Sequence, residues 1–460
     1  MIRKEETHMN QQMKQLVESL TPEWTAWRRD FHKYAESGWV EFRTASKVAA
    51  KLKEWGYEVR AGKEVVRDEA RMGVPSAAFL AQQEKRAVEQ GAEQEWLPYF
   101  SGGFTGVVGI LDTGRPGPTV GFRVDMDALD IQESEEADHL PAANGYVSVN
   151  PGMMHACGHD AHTTIGLGLA QVLMAMKEEL NGRIKIVFQP AEEGVRGAKA
   201  MVEAGVLDDV DFFFSGHIGS GVPLGEIVCG ARGYLATTKL DVTYKGYSSH
   251  AGGHPEDGKN ALLAAASAAL NMHSISRHSQ GSSRINVGVL QAGSGRNVVP
   301  GSAFLKVETR GATSEINEYM LERAVQIIRG AAAMHDVQES IEVVGMANSC
   351  DSSSELIPFI RSQAEKLAEV HTVHDFVVAG GSEDATYMLQ RVQDNGGLAS
   401  YLVIGTTLAA GHHNEKFDID ERVMAIAIQT YALCALHAGE LEALGRGKSG
   451  SQGQDGKITE

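Results

Sequence analysis

Short apolar runs alternate with helical stretches through most of the chain, and several of these runs end in polar side chains. Four runs have the length and apolar content of buried strands: residues 119–124, 183–188, 211–215 and 401–404. Residues 163–180 place apolar side chains at helical spacing and are followed by a helix stop at Asn181-Gly182. This alternation predicts an α/β fold built on a mostly parallel sheet.

Further regions lie outside this pattern. From Leu16 to Trp55, apolar residues at helical spacing predict two N-terminal helices. Residues 63–101 are rich in Glu, Gln, Ala and Arg with weak periodicity, which predicts a helical insertion at the surface, outside the core. Residues 445–460 contain almost nothing apolar, and we expect them to form a disordered tail.

A different order of elements occupies residues 237–346. Six elements are predicted there: strand 239–245, helix 262–273, strand 285–290, strand 303–310, helix 316–335 and strand 341–344. The β-α-β-β-α-β order is typical of a ferredoxin-like domain, here inserted into the larger one. The predicted division therefore assigns residues 1–236 and 347–444 to the larger domain and 237–346 to the insertion.

Composition narrows the class of protein. The chain has 460 residues, 43% of them hydrophobic, which is enough for two domains with cores of their own. A formal net charge of −18 disfavours binding to nucleic acid or to anionic membranes. No apolar stretch is long enough to span a bilayer, and the four cysteines are scattered, as is typical of a reducing compartment. We expect a cytoplasmic protein.

The predicted strands deliver polar side chains to their carboxyl ends. In chain order these side chains are Asp125 and Asp127, Glu192 and Glu193, His217 and, after the last strand, His412 and His413. In open α/β sheets, ligands bind outside the carboxyl ends of the strands. We therefore expect these side chains to converge on one crevice.

Residues 153–162 hold three histidines, one cysteine and one aspartate within ten positions. Thiolate and imidazole are ligands for a divalent cation such as Zn²⁺, and carboxylates add harder ligands and a proton acceptor. None of the four cysteines belongs to a C-x-x-C pair, which disfavours a closed structural zinc site. The cluster predicts a metal-dependent hydrolase.

Five motifs in a fixed order resemble the M20 metallopeptidases, and within them the branch of amidohydrolases, N-acyl amino acid deacylases and auxin-conjugate hydrolases. The motifs are Arg123-x-Asp-Met-Asp-Ala-Leu129, Met154-His-Ala-Cys-Gly-His-Asp-x-His162, Phe188-Gln-Pro-Ala-Glu-Glu193, Ser249-His-Ala251 and His413-x-x-x-Phe417. The resemblance extends from about Pro22 to Leu444. It implies a metallohydrolase catalytic domain with an inserted lid or dimerisation domain.

The resemblance also implies the roles of individual residues. The metal ligands would be Cys157, His159, Glu193, His217 and His413, with Cys157 shared between two ions. Glu192 would be the general acid/base, and Asp127 would orient the ligands. The role of Asp125 stays open because many relatives have a ligand histidine there, and His412 is the alternative to His413.

The inserted domain would complete the site. His250 would hydrogen-bond the oxyanion of the reaction, in relatives within the active site of the partner chain. Asn297 and Arg310 match a pair that holds the α-carboxylate of a substrate. The implied reaction is hydrolysis of an N-acyl amino acid, most specifically p-aminobenzoyl-glutamate or a related aroyl-glutamate. A general N-acyl amino acid deacylase or a dipeptidase is the alternative.

Cofactor and partner follow from two different arguments. Soft thiolate and imidazole ligands favour zinc, whereas the resemblance implies manganese, so we expect two divalent ions per chain, with Mn²⁺ preferred to Zn²⁺. The resemblance further implies a dimer, either of identical chains or with a related second chain.

Several other residues have ordinary structural explanations. Five histidines are expected at the surface or satisfied in the core: His155, His162, His254, His273 and His278. Cys229, Cys350 and Cys434 are expected to be small buried side chains. Glu383-Asp384 is either a charged turn or a support for the site, and Arg310 could instead form a strand-end salt bridge. A metal-binding module without catalysis remains a rival, but it would have no use for Glu192.

Overall fold

The computed structural model describes residues 2–441, and its larger sheet has eight strands. They are Glu58–Ala61 (β1), Val107–Asp112 (β2), Thr119–Asp125 (β3), Arg183–Gln189 (β4), Phe212–Ile218 (β5), Glu226–Arg232 (β6), Thr372–Val378 (β11) and Leu398–Ile404 (β12). Strands β3, β4 and β12 contain three of the predicted runs, and β5 begins one residue after the start of the fourth; their central position makes these strands buried on both faces.

The order of strands in this sheet is β1-β2-β4-β3-β5-β12-β6-β11. Four of its seven neighbouring pairs are parallel, and these include every pair in the block from β4 to β12. The antiparallel pairs join β1 to β2, β2 to β4, and β12 to β6. The predicted α/β fold with a mostly parallel sheet is therefore confirmed.

A second sheet contains four strands in the order β10-β7-β9-β8, all antiparallel. Its strands are Ala236–Lys245 (β7), Ser283–Ala292 (β8), Ser302–Gly311 (β9) and Gln338–Ala347 (β10). The intervening helices cover one face, so the buried residues Leu240, Val242 and Leu305 point to the helices. The order β-α-β-β-α-β is the one that the sequence predicts, and the other face of this sheet carries polar residues.

Twelve α-helices are present in the described chain. They are Ile2–Lys33 (α1), Phe42–Glu54 (α2), Ala77–Glu89 (α3), Leu97–Phe100 (α4), Leu140–Ala143 (α5), His159–Ala175 (α6), Ala198–Glu203 (α7), Ala261–His273 (α8), Ser314–Met334 (α9), Ile357–Ala364 (α10), Ala385–Asp394 (α11) and Arg422–Leu436 (α12). Helices α1, α6 and α12 pack together on one face of the larger sheet, and α7 and α11 pack on the other.

The insertion at residues 63–101 is helical in part, but its predicted place outside the core is wrong. Leu80, Ala87, Trp96, Leu97 and Phe100 are buried within the main hydrophobic core. These five residues are distributed over two helices and the turn between them. No single periodic pattern therefore identifies them in the sequence. The predicted tail at 445–460 lies outside the described residues. Among residues 2–441, no helix combines the length and apolar character that a membrane span requires.

Candidate metal centre

The predicted polar side chains meet at the carboxyl edge of the larger sheet. Asp125 ends β3, His217 lies near the end of β5, and the Glu192-Glu193 pair follows β4. Helix α6 begins at His159, four residues before the predicted start, so the Cys/His motif runs from a loop into a helix. Gly158 makes this junction with a φ of 93°, a left-handed conformation that glycine adopts without strain.

All five predicted ligands belong to overlapping groups whose donor atoms lie within 4.8 Å of one another. One group contains Cys157, His159 and His217, and Cys157 Sγ is 3.3 Å from His217 Nε2. A second contains Cys157, Glu193 and His413, with His413 Nε2 3.5 Å from Glu193 Oε1. Cys157 belongs to both groups, which is the arrangement that a thiolate shared between two cations requires.

The donor set fits divalent metal ions. His159 Nε2 and Glu193 Oε1 are buried and have no hydrogen-bond partner among the described residues. A buried polar atom without a partner is costly, and in a native protein it calls for an explanation such as an ion. Because these two atoms face a thiol and further imidazoles, a cation with sulfur, nitrogen and oxygen ligands would satisfy them.

The Glu192-Glu193 turn is held under backbone strain. Ala191 and Val195, on either side of the pair, have φ values of 51° and 60°, which non-glycine residues rarely adopt. Asp127 holds the turn, because its two carboxylate oxygens accept the backbone N–H groups of Glu192 and Glu193 at 3.0 and 2.9 Å. The two neighbouring glutamates can therefore serve different partners.

Glu192 and Glu193 have nearly equal side-chain exposure, 12% and 13%, but Glu192 is surrounded by more negative charge. Burial raises the pKa of Glu192 well above its usual value, and the negative charges of Glu383, Glu193 and Asp384 raise it further. Its Oε2 is 3.9 Å from His159 Nε2. A cation bound beside this carboxylate would favour its ionised form, which is the form that accepts a proton.

Burial likewise raises the pKa of the Cys157 thiol to about 12. The ionised thiolate is the form that binds a metal, and a cation at the site would stabilise it. The protein groups around Cys157 therefore keep the thiol protonated by themselves, and ionisation is tied to occupation of the site.

Asp125 has close partners within the protein, although it also belongs to a group with His159 and His162 that could hold an ion. Its carboxylate forms an ion pair with Arg123 at 2.9 Å and a 2.6 Å hydrogen bond with His162 Nδ1. His162 Nε2 in turn accepts the backbone N–H of Ile218. Both ring nitrogens of His162 are thus occupied, which agrees with the expectation that this histidine is satisfied by the protein.

His412 and His413 both approach the cluster. His412 Nδ1 is 3.7 Å from Cys157 Sγ, but its Nε2 accepts the backbone N–H of Ser220. His413 has a φ of 64°, and its side chain is directed at Glu193. The geometry favours His413, because its Nε2 takes part in a group with Cys157 and Glu193.

Glu383 and Asp384 support the site. Asp384 Oδ2 accepts the N–H groups of Gly197 and Ala198 at the start of α7, and its Oδ1 accepts the amide of Gln189. Glu383 forms a 3.1 Å ion pair with Arg123. Burial raises the pKa of Asp384 to about 7, and the charge of Glu383 adds to this effect. The alternative of an exposed charged turn is therefore excluded.

A buried network behind the site has no signal in the sequence. Arg28 contacts Asp160 at 2.8 Å and Asp418 at 2.7 Å, and His32 bridges Asp160 and Glu133 with two 2.8 Å contacts. Burial disfavours the charged ring, but hydrogen bonds to both carboxylates outweigh it and raise the pKa of His32 to about 9. Of these residues only Asp160 belongs to a quoted motif, and its partners come from distant parts of the chain, so no local pattern could link them.

The structure does not bring the three predicted residues of the inserted sheet to the metal cluster. His250 is exposed, and its Nδ1 accepts the N–H groups of Gly252 and Gly253. Asn297 lies beside it, because Ala251 N–H donates to the Asn297 carbonyl. Arg310 donates twice to Glu308, at 3.0 Å each. Within a single chain, Arg310 therefore forms the salt bridge that was the alternative to substrate binding.

The predicted pair of Asn297 and Arg310 is separated in one chain. Asn297 lies five residues before Ser302, where β9 begins, and Arg310 is the second last residue of that ten-residue strand. A strand rises about 3.3 Å per residue, which places the two residues more than about 25 Å apart. They can hold the same carboxylate only if two chains contribute to one site.

Comparison with known proteins agrees with this site. The chain is 57% identical to indole-3-acetyl-aspartic acid hydrolase of Enterobacter agglomerans and 56% identical to one subunit of p-aminobenzoyl-glutamate hydrolase of Escherichia coli (strain K12). Each alignment covers 92% of this chain and 98% of the relative. A crystal structure of aminobenzoyl-glutamate utilization protein from Klebsiella pneumoniae, 50% identical, superimposes with a TM-score of 0.81 over 93% of this chain and 98% of that one.

Residues 121–437 match the peptidase family M20/M25/M40, which covers the sheet edge, the metal cluster and the inserted sheet. Family membership, the described arrangement of thiol, imidazole and carboxylate, and relatives named as hydrolases all agree. The chain belongs to peptidase family M20/M25/M40 and is an amidohydrolase.

Proposed function

We propose that this protein hydrolyses the amide bond of an N-acyl acidic amino acid, with p-aminobenzoyl-glutamate as the expected substrate. The observation that carries the proposal is the group of donor atoms around Cys157, with Glu192 beside it. Two relatives above 55% identity are named for amides of aspartic acid and glutamate, each with an aromatic acyl group. Both names therefore describe an amide between an aromatic acyl group and an acidic amino acid.

The proposed cofactor is a pair of divalent ions, Mn²⁺ in preference to Zn²⁺. Cys157, His159 and His217 would hold one ion, and Cys157, Glu193 and His413 would hold the other. When bound, such ions act as Lewis acids that activate water and polarise the amide carbonyl. Asp127 and its contacts to the ligands would fix their orientation.

Glu192 would move the proton. Its carboxylate takes a proton from the attacking water and passes it to the nitrogen of the leaving amino acid as the amide bond breaks. Because its backbone N–H is held by Asp127, the carboxylate stays aimed at the cluster. His250 of a second chain would donate a hydrogen bond to the carbonyl oxygen as negative charge develops there.

The proposed assembly is a dimer formed through the inserted sheet, of identical chains or with a related second chain. The E. coli relative is named as a subunit, which agrees with a partner. Strand β8 lies at the edge of the sheet, and exposed apolar side chains lie on it and on the adjoining elements: Tyr247, Leu263, Leu270 and Leu290. Apolar exposure beside a free strand edge favours pairing with another chain.

The test is a substrate panel with the metal-reconstituted protein and two matched variants. Wild type should release p-aminobenzoate from p-aminobenzoyl-glutamate and leave free-amine dipeptides uncleaved. Glu192→Gln should lower kcat by about 10²- to 10⁴-fold, the usual contribution of a general acid/base, with unchanged metal content. Glu203→Gln, at an exposed position in α7, is the control and should keep full activity.

Three results would contradict the proposal. Cleavage of free-amine dipeptides in preference to acylated amino acids would indicate a peptidase. Retained activity of Glu192→Gln would show that Glu192 is not the general acid/base. A protein that binds metal but cleaves none of the amides would be a binding module.

A further inference from the structure

Lys239 lies on the open face of the inserted sheet, at the end that contacts the catalytic site. In β7, Leu240 and Val242 point to the helices, so Lys239 points the opposite way. Lys239 is paired in register with Gly345 of β10, and Gly345 packs closely against Gly194, the residue after the proposed ligand Glu193. Lys239 is thus held beside the Glu192-Glu193 turn.

The charge of Lys239 has no partner in the described chain. Its ammonium group forms no hydrogen bond or ion pair with any residue from 2 to 441. Its direct cross-strand neighbour is Glu308, but both oxygens of that carboxylate are taken by the Arg310 guanidinium.

Lys239 lines a cleft of about 640 Å³ between the inserted sheet and the catalytic site. The catalytic side of the cleft is formed by Gly194 and Arg196, and the opposite wall includes Asn286 and Glu308. This volume is in the range of pockets that enclose small ligands. The Arg196 guanidinium is already engaged, since it donates to the carbonyls of Glu193 and Gly73. Lys239 is therefore the unpaired cation of the cleft nearest to the turn.

Lys239 and Arg310 are two of the cations on this face, and an acidic amino acid carries two carboxylates. Arg310 follows Glu308 by two residues on the same strand, so it lies on the same face as Lys239 and diagonally across from it. A substrate with one carboxylate needs one such cation, whereas an aspartate or glutamate amide needs a second for its side chain.

We propose that Lys239 binds the side-chain carboxylate of the substrate and thereby selects amides of acidic amino acids. This inference rests on the proposed function and deepens it. Arg310 would exchange its two hydrogen bonds to Glu308 for the α-carboxylate, and the aromatic acyl group has to lie on the far side of the metal centre. Lys239 is a specificity residue, so its removal should change which substrate is cleaved more than whether cleavage occurs.

The experiment compares p-aminobenzoyl-glutamate with p-aminobenzoyl-glutamine, which has the same shape without the second charge. In the metal-reconstituted wild type, kcat/KM should favour the glutamate substrate. Lys239→Met should lower kcat/KM for the glutamate substrate by about 10- to 100-fold, the usual effect of losing a hydrogen bond to a charged group. For the glutamine substrate it should change kcat/KM less than about threefold, and Lys239→Arg should retain part of the preference.

Lys306→Met is the matched control, because Lys306 is an exposed lysine on the same sheet face, opposite Asp241 and farther from the turn. It should leave the preference unchanged. Metal content is measured for every variant. An equal loss on both substrates in Lys239→Met, or a lost preference in Lys306→Met instead, would overturn the assignment. Failure of the wild type to cleave either amide would overturn the proposed function itself, and this inference with it.

Discussion

At the scale of single residues, Asp127 has the most consequential contacts of any side chain near the cluster. Its Oδ1 accepts the N–H of Glu192 and lies 3.3 Å from His159 Nδ1, while its Oδ2 accepts the N–H of Glu193. One carboxylate therefore sets the direction of the proposed base and of two proposed ligands. The strained φ values on both sides of the pair are maintained by these hydrogen bonds.

Replacing Asp127 by Asn should weaken the site without removing it. The amide keeps one acceptor oxygen but turns an NH₂ group toward a backbone N–H, so the Glu192-Glu193 turn loses one of its two hydrogen bonds. We expect metal affinity or kcat to fall by about 10- to 100-fold, as is usual for partners that orient metal ligands. Metal content by mass spectrometry and steady-state kinetics measure the two effects.

Asp130→Asn is the control for this change. Asp130 is exposed and lies three residues further along the chain, so it shares the local sequence but none of the contacts of Asp127. It should bind metal and turn over substrate as the wild type does. An Asp127→Asn protein indistinguishable from Asp130→Asn would show that the turn keeps its shape without the carboxylate.

At the scale of secondary structure, the central strands can be predicted because each is a short apolar run with a polar end. The predicted start of helix α6 is four residues late, because His159, Asp160 and His162 suggest a polar loop. In the structure these side chains are buried and each has a partner from another part of the chain, so a helical turn can contain them. Burial in residues 63–101 cannot be predicted from the local sequence either, because it depends on contacts with distant parts of the chain.

Helix α1 is tied to the loops that carry the proposed ligands by one buried arginine. Arg28 reaches Asp160 in the first turn of α6 and Asp418 in the loop that follows the two adjacent histidines. Arg29, the next residue, is 41% exposed and contacts Glu421, which is 19% exposed and also lies 3.4 Å from Arg28. The two neighbours therefore form ion pairs of similar geometry in very different surroundings.

Arg28→Met should be far more destabilising than Arg29→Met. Removing Arg28 leaves the buried carboxylate of Asp418 without its cation and takes one of two cationic partners from Asp160, and such a loss costs about 3–5 kcal/mol in the free energy of unfolding. The exposed pair of Arg29 contributes only about 0–1 kcal/mol. Urea unfolding of both variants and the wild type gives the comparison. Equal losses in the two variants would mean that α1 is held by its apolar side chains alone.

At the scale of the whole molecule, the sequence predicts the convergence of strand ends but not the separation of Asn297 from Arg310. Convergence follows from a general property of parallel sheets, so knowing the strands is enough. The separation depends on the register of β9 against β7, which is set by pairing between residues far apart in the chain. The division into a catalytic domain and an inserted domain of residues 237–346 remains our proposal, supported by the separate hydrophobic core of the second sheet.

The same geometry predicts that one active site draws on two chains. His250 and Asn297 lie at the end of the inserted sheet far from the metal cluster, whereas Lys239 and Arg310 lie at the near end. In a two-fold symmetric dimer, the far end of one chain can reach the site of its partner. His250→Ala should therefore inactivate the site of the partner chain, to which His250 contributes. Glu192→Gln should inactivate the site of its own chain.

Mixing these two inactive variants should restore activity. A mixed dimer contains one site with an intact Glu192 in its own chain and an intact His250 from the other. Random pairing in equal amounts should yield about a quarter of wild-type activity, because half of the dimers are mixed and each has one complete site. The chains are refolded together, assayed with p-aminobenzoyl-glutamate, and weighed by native mass spectrometry. Dimers that form but stay inactive would show that His250 does not serve a second copy of this chain.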